Sequence, residues 1–419
     1  MKRVVFAGAY GIQSQGDDAP LVVMARMLRE RVGEFDGVVV SRPHGGAEYA
    51  ALRLRSVANF EYAAKADSLG RWFRGFNPTD DRTDLLALEA EIAGCDLLVL
   101  GAGNALVDQC FDLLRGPVPY FTMLTLMARM SGKPVLWYGL SIGPLRTPFG
   151  KKYARLCLDL AAAVTVRDAA SAAVARRIGY HGTCLRLPDP VLGLPSPGSH
   201  PAPGPARDAW NRAHARGAGV AAVSLRALPP GRMSHAQWVA GMAALLDALY
   251  ERHGLRPLFI PQCTYSGGGP LEDDRNVARD VAEAMRGRAD PVVVRERLNV
   301  EECLSLYAGA RVALCTRLHG AVFAAMNATP VLAFGYHPKV AGFMDWLGQP
   351  DRVVSLRRGG AADWLDKAEA ALGASLQERG RVLARIEEGR REVEQYGALA
   401  AALLAGERLP APATGRGMP

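Results

Sequence analysis

The feature that most restricts what this chain can fold into is a series of short, continuously apolar runs, each followed by a stretch of helical periodicity. Val4–Ala7 opens the series, ahead of a glycine-rich loop and a helix over Asp18–Arg31. Asp96–Leu100, Pro134–Leu140 and Ala163–Val166 repeat it, with helices at Pro119–Met130, Lys151–Ala161 and Ala169–Ile178. A strand that is apolar at every position must be buried on both faces. Such strands alternating with helices predict a parallel sheet covered on each side. The segment PSPGSHPAPGPA, Pro195–Ala206, then breaks the pattern, and its Pro and Gly density predicts a linker without regular structure. Beyond it the pattern restarts. Strands are expected at Val220–Leu225, Leu258–Pro261, Pro291–Arg295, Val312–Cys315 and Val331–Phe334. Helices are expected at Ser234–Arg252, Leu271–Met285, Val300–Ala308 and Leu318–Met326, with Ser234 and Asn299 as N-caps.

These elements predict an α/β chain of two Rossmann-like domains facing across a cleft, a GT-B-like layout. The expected boundaries are 1–194 for an N-terminal, acceptor-side domain and 195–218 for the linker. The C-terminal, donor-side domain takes 219–360. C-terminal helices, broken near Gly373, take 361–408, and 409–419 forms a disordered tail. In open α/β sheets ligands bind outside the carboxyl ends of the strands, so the search for chemistry narrows to the loops that follow them.

Composition excludes several classes. At 49% hydrophobic residues the 419-residue chain has ample material for packed cores. A net charge of +8 suits an anionic substrate, but the arginines are dispersed, with no dense basic block, so no nucleic-acid partner is expected. The apolar run in MKRVVFAGAY is too short for a secretory leader, and no segment is long enough to span a bilayer. The seven cysteines (95, 110, 157, 184, 263, 303 and 315) contain no CxxC pair, which fits reduced thiols and neither a disulfide framework nor a zinc site. A cytoplasmic protein is expected, with room for peripheral association at the inner face of the membrane.

Among the post-strand loops, GAYGIQSQGDDAP places Asp17 and Asp18 where a helix begins. Carboxylates there can bind sugar hydroxyls or act as a general base, or simply cap the helix. The spacing is not GxGxxG, and an acidic pair repels a pyrophosphate, which argues against a dinucleotide. LGAGNALVD gives Gly101 and Gly103 for a tight βα turn and Asn104 as a ligand contact. GLSIGPL places Ser141 and Gly143 at the cleft. Arg167 and Asp168 sit at a strand–helix junction, as a salt bridge and cap or as substrate contacts. Asp189 is held in one direction by a proline on each side.

In the second half, Arg226 ends the strand of VSLRAL, where a guanidinium can fork a carboxylate. CTRLHGAVFAAMN puts Arg317 and His319 at a strand–helix junction, where free N–H groups and the helix dipole already favour an anion. FGYHPKV adds Tyr336, His337 and Lys339 on the next loop. Arg226, Arg317, His319 and Lys339 come from three strand ends, a convergence expected for a small, highly charged donor. Between them, Gly267–Gly269 is a candidate lid, and Glu272, Asp273 and Asp274 read as a solvated first helical turn. No cluster has metal-ligand spacing, and no metal is expected.

GDDA at Gly16, the glycine turn at Gly101, GLSIGPL, VRD at Val166, PDP at Pro188, SLR at Ser224, TRLHG at Thr316 and the Tyr336–Lys339 loop, in that order, resemble the polysaccharide pyruvyl transferase family over about residues 4–345. The resemblance implies a GT-B-like fold, phosphoenolpyruvate as co-substrate with no further cofactor, and a pyruvate ketal built on a hexose. It also implies donor binding by Arg317, His319 and Arg226. There are departures: Ala102 interrupts the family's glycine run, and Gln262 and Cys263 stand where the family often has a histidine, so Gln262 joins Asn104 and Ser141 as an acceptor or cleft residue. The mechanism implied seats the donor phosphate at Arg317 and His319 and its carboxylate at Arg226. His319 serves as the acid that protonates the methylene carbon, and Asp17 or Asp18 orients or deprotonates the hydroxyl of a glycan or lipid-linked sugar. The competing readings are a nucleotide-sugar glycosyltransferase and a non-catalytic glycan-binding homologue. Self-association into a homo-oligomer is left open.

Overall fold

The computed structural model describes residues 1–42, 47–63, 67, 70–108, 116–196, 198–229, 233–265, 272–286, 289–356 and 360–407. The candidate lid at Gly267–Gly269, Cys110 and the tail 409–419 lie outside them. The chain divides into two compact units. The first comprises Met1–Ile12, Asp17–Gly193 and the chain from Gly389 onward; the second comprises Gln13–Gly16 and Leu194–Glu388.

The first unit is built on a seven-stranded parallel sheet. Its strands are β1 (Arg3–Tyr10), β2 (Asp36–Ser41), β3 (Leu54–Ala58), β4 (Leu97–Leu106), β5 (Val135–Ile142), β6 (Ala163–Val166) and β7 (Cys184–Arg186), in the order β3-β2-β1-β4-β5-β6-β7. Helices α1 (Gln15–Val32), α2 (Thr83–Gly94), α3 (Pro117–Met130), α4 (Pro148–Asp159) and α5 (Ala169–Arg177) connect them. Every residue of β5 is buried, as its unbroken apolar run requires. Thr147 and Asp168 start α4 and α5 by accepting from the N–H of Gly150 (3.0 Å) and Ser171 (2.7 Å).

The second unit repeats the plan with β8 (Gly219–Ser224), β9 (Leu255–Phe259), β10 (Val292–Val293), β11 (Val312–Cys315), β12 (Val331–Phe334) and β13 (Val353–Val354), in the order β10-β9-β8-β11-β12-β13. Around them lie α6 (Pro205–Ala213), α7 (His235–His253), α8 (Asp274–Ala284), α9 (Val300–Ser305), α10 (Leu318–Met326), α11 (Pro338–Trp346) and α12 (Ala361–Leu372). Helix α13 (Leu376–Leu404) begins in this unit and finishes in the first. Ser234 and Asn299 form capping boxes with Gln237 and Glu302. All nine residues of α10 are buried, so this helix is enclosed on every side.

Three sequence expectations change. The segment expected to lack structure runs into α6, which opens on Pro205. Proline costs nothing at a first helical position, whose N–H is unpaired anyway, and Ala206, Ala209 and Ala213 are fully buried. Gly101 and Gly103 do not make a tight turn, because β4 runs through them to Leu106. Gly101 has φ +111°, and a Cβ there would sit 2.5 Å from the Tyr138 carbonyl oxygen of β5, so the glycine permits close approach of a neighbouring strand. The acidic turn before α8 is not uniformly solvated: Glu272 is exposed, Asp273 caps the helix, and Asp274 is buried.

In each sheet the chain order reverses once beside the first strand, between β1 and β4 and between β8 and β11. Crevices at such switch points are where ligands bind in open α/β sheets. The two switch points therefore single out the strand ends and helix starts carrying Asp17, Asp18 and Asn104 in one unit, and Arg226, Arg317 and His319 in the other. No helix among the described residues is long and apolar enough to cross a membrane.

Candidate active site

In the second unit, β8 and β11 run side by side to Ser224 and Cys315. The ladder is extended by Thr316, whose N–H donates to the Ser224 carbonyl (2.9 Å) and whose hydroxyl accepts the Arg226 N–H (2.8 Å). This tie fixes the point at which each arginine leaves the sheet. Arg226 lays its guanidinium over the Tyr336 ring, 5.0 Å from the centroid, and its Nη1 donates to the Tyr336 hydroxyl at 3.2 Å. Tyr336 follows β12 and is 7% exposed.

Burial pushes the Tyr336 phenol up, but the positive charges of Lys339, Arg226 and Arg317 together prevail and hold it below the ordinary tyrosine value. Three cations from three loops thus act on one hydroxyl. Helix α10 starts at the same place. Arg317 occupies its N-cap position with no side-chain cap, and the first turn of a helix favours an anion.

Arg317 is also held from behind. Its Nε and Nη2 chelate the Asp274 carboxylate, with Nη2–Oδ1 at 2.6 Å and Nε–Oδ2 at 3.0 Å. Asp274 is 1% exposed and also accepts the N–H of Gln262 (3.1 Å) and Cys263 (3.0 Å). Burial drives this carboxyl upward against the opposing pull of Arg317, and the carboxylate raises the pKa of the guanidinium, which burial alone would lower. Arg317 is therefore a half-buried cation, 20% exposed, oriented by a buried anion, with Nη1 left over among the described residues. The sequence hides this partner: Asp274 stands 43 positions away inside an acidic turn that looks solvated. The available clue is that an arginine entering a buried strand end requires a counter-charge.

His319 lies in the first turn of α10 and is 8% exposed. Gly16 belongs to this unit and packs against it: a Cβ at Gly16 would lie 2.6 Å from the His319 Nδ1. The segment is held in place by Gln15, whose N–H donates to the Gln262 carbonyl (2.8 Å) and whose side-chain amide donates to the Leu298 carbonyl (2.7 Å). Replacing Gly16 with alanine must displace the imidazole. We expect Gly16→Ala to cost about 1–3 kcal/mol of stability through overpacking. A shift of about 1 Å in a catalytic group lowers turnover on the order of 100-fold. Denaturant unfolding and steady-state kinetics on the same preparation check both.

Gln262 is buried, 3% exposed. Its amide donates to Cys303 Sγ (3.2 Å) and the Tyr307 hydroxyl (3.1 Å), within the core of the second unit. Lys339 is half-buried in the first turn of α11, which His337 caps by accepting the Lys339 N–H at 3.3 Å.

In the first unit, Asp17 and Asp18 lie in the first turn of α1. The Tyr49 hydroxyl donates to Asp18 Oδ1 (2.9 Å) and accepts the Gly11 N–H (2.8 Å). Asp17 Oδ1 is 3.4 Å from the place a Cβ on Gly103 would occupy, so this carboxylate lies against β4. Burial, and then the charges of Asp17 and Asp18, raise the Tyr10 phenol well above its usual value. Asn104 is half-buried beside Gly103, and its Oδ1 has no hydrogen-bond partner among the described residues. Ser141 is committed elsewhere: its hydroxyl accepts from Arg167 Nε (2.8 Å) and donates to Asp168 Oδ2 (3.1 Å), and Arg167 Nη1 pairs with Asp189 Oδ2 at 2.8 Å. Ser141, Arg167, Asp168 and Asp189 thus form a structural polar network of the first unit.

The family model for polysaccharide pyruvyl transferase matches residues 16–338, most of the chain. The chain belongs to the polysaccharide pyruvyl transferase family. It is also similar to the amylovoran biosynthesis protein AmsJ of Erwinia amylovora, 26% identical over 266 residues, which are 62% of this chain and 62% of AmsJ.

Among solved structures it resembles Anabaena Alr3699/HepE in complex with UDP, with TM-score 0.58, 13% identity, and coverage of 97% of this chain and 100% of that one. It also resembles UDP-GlcNAc 2-epimerase from Methanocaldococcus jannaschii, with TM-score 0.59, 9% identity, and coverage of 96% and 99%. At these identities the likeness shows the fold, and two Rossmann-like units of this kind are GT-B-like.

Proposed function

We propose that the chain transfers the pyruvyl group of phosphoenolpyruvate onto sugar hydroxyls, building a pyruvate ketal on a precursor of a cell-surface polysaccharide. The observation that supports this most is the Arg226 guanidinium bonded to the Tyr336 hydroxyl at 3.2 Å, with the charges of Lys339 and Arg317 acting on the same phenol, beside the start of α10 and His319. Phosphoenolpyruvate carries two anionic groups on a three-carbon frame and matches a site of that size and charge. In this reading its phosphate takes the α10 N–H groups, Arg317 Nη1 and Lys339, and its carboxylate takes Arg226. His319 stands in the first turn of α10, beside the phosphate, and is therefore assigned to the proton of the departing phosphate instead of that of the methylene carbon. Fixed donors aimed at developing charge supply most of the rate. Asp17 or Asp18 orients the attacking hydroxyl of the sugar, with Asn104 as a further acceptor contact, and the first unit is the acceptor side.

A nucleotide-sugar donor often takes a carboxylate for its ribose, and the segment Tyr336–Met344, which runs into α11, contains none. The test is a binding titration of the full chain with phosphoenolpyruvate and with UDP-sugars, followed for Arg226→Ala. We expect phosphoenolpyruvate alone to bind. Losing a charge-assisted hydrogen bond worth about 1.5–3 kcal/mol should weaken binding by about 10- to 150-fold in the variant. Equal affinity in variant and wild type, or preference for a UDP-sugar, contradicts the assignment.

A further inference from the structure

Ketal formation from phosphoenolpyruvate needs protons at two places, and the groups assigned above supply one of them. The methylene carbon becomes a methyl group and must gain a proton. The departing phosphate must gain another, and His319 provides that. We propose that Tyr336 is the second acid, delivering its phenolic proton to the methylene carbon of the donor. This rests on the phosphoenolpyruvate reading and deepens it.

The geometry points to Tyr336 in three ways. First, the ring is enclosed beneath the Arg226 guanidinium, so the hydroxyl is held in one place next to the group that binds the donor carboxylate. Second, Arg226 Nη1 donates to the hydroxyl oxygen, so the oxygen is the acceptor in that bond and its own proton is directed elsewhere. Among the described residues that proton has no acceptor. Third, the surroundings favour loss of the proton. The charged and titratable groups around the phenol are Arg226 after β8, Arg317 after β11, Lys339 on α11 and His337 beside it, with Asp274 offsetting Arg317.

Other buried tyrosines behave in the opposite way. Burial drives the phenols of Tyr10, Tyr138, Tyr307 and Tyr396 well above their ordinary value. In Tyr336 alone among the shifted tyrosines do neighbouring cations outweigh burial. A phenol lowered towards the working pH is a better proton carrier in both directions.

The step balances. The π pair of the donor's double bond takes the Tyr336 proton, so a C–H bond forms at the methylene carbon and the phenolic O–H breaks. A lone pair of the sugar hydroxyl forms a C–O bond to the central carbon, and the hydroxyl proton passes to the Tyr336 oxygen. The bond from the central carbon to the phosphate oxygen then breaks. Its electron pair stays with phosphate, which takes the proton of His319. The second hydroxyl bonds to the central carbon, and its proton restores His319. Phenol and imidazole end as they began.

Tyr336→Phe keeps the ring and removes only the oxygen. General acid catalysis is typically worth about 10²–10⁴-fold, so we expect kcat to fall by that factor with the phosphoenolpyruvate KM nearly unchanged. The phenol must be protonated to act. The wild-type rate should therefore decline as pH rises through the Tyr336 pKa, below the ordinary value of 10, and the variant should lack that limb. An ultraviolet titration should show one tyrosinate forming ahead of the others in the wild type and missing from the variant. Wild-type kcat with an unaltered pH profile in Tyr336→Phe overturns this proposal alone. A loss expressed in KM instead of kcat also overturns it, by assigning Tyr336 to the positioning of Arg226. Absence of phosphate release by the wild type overturns it together with the donor reading.

Discussion

Arg317→Ala should destabilise the second unit by about 3–5 kcal/mol as well as abolish turnover, because it strands a carboxylate that is 1% exposed. Asp274 would keep its two backbone N–H donors and lose the guanidinium that chelates it through Nε and Nη2. The loss is large because an unpaired buried charge pays its desolvation without compensation. This makes Arg317→Ala ambiguous taken alone, since an unfolded protein is also inactive. The paired replacement Asp274→Leu with Arg317→Met separates the effects. Exchanging a whole buried ion pair for apolar side chains is often neutral, so the double variant should regain most of the stability. It should remain inactive, because the cation is still missing. Denaturant melts and phosphate-release assays of the two variants check this. Normal stability in Arg317→Ala would show that the Asp274 carboxylate does not depend on this guanidinium.

Asp189→Ala should have an effect of similar size in the first unit, and of a different kind. Arg167 and Asp189 are 3% and 7% exposed and form a 2.8 Å ion pair. Removing Asp189 leaves the Arg167 guanidinium with the Ser141 hydroxyl, at 2.8 Å, as its remaining side-chain hydrogen-bond partner among the described residues. It also removes the acceptor of the Val191 N–H, bonded at 3.1 Å. We expect a loss of about 3–5 kcal/mol, measured by denaturant unfolding. The donor site belongs to the other unit, so binding of phosphoenolpyruvate by the protein that remains folded should be unchanged. Loss of donor binding at full stability would instead give Asp189 a direct role in the site.

The regular part of this fold was legible because buried parallel strands are apolar throughout. The runs at Ala163–Val166, Val312–Cys315 and Val331–Phe334 coincide with β6, β11 and β12. What escaped had weaker signals. β3 is half-exposed, with only Leu54 fully buried, and β13 is two residues long. β2 is the exception, since its run of three valines was there to be read. Gly101 and Gly103 were misleading because glycine serves a turn and a close backbone approach equally well, and only the neighbouring Tyr138 carbonyl distinguishes them.

The site divides in the same way. Arg226, Arg317, His319 and Lys339 could be singled out because each follows a strand, and position after a strand is a local property. The commitment of Ser141 to Arg167 and Asp168, and of Gln262 to Cys303 and Tyr307, depends on partners 26–45 positions away. The pairing of Arg317 with Asp274 is of the same kind. No local pattern reveals where a hydroxyl or amide spends its hydrogen bonds. Gly16 shows the reverse case: its place in the GDDA motif was visible, and the reason for it, the imidazole of His319, was not.

The central claim is that the cations gathered at the β8 and β11 strand ends act on a compact, doubly anionic donor. The most direct measurement is release of inorganic phosphate from phosphoenolpyruvate by the full chain, with and without a polysaccharide-precursor acceptor. Acceptor-dependent release that disappears in Arg226→Ala is the predicted result. No release with any acceptor, while a UDP-sugar is consumed at the same site, would contradict it.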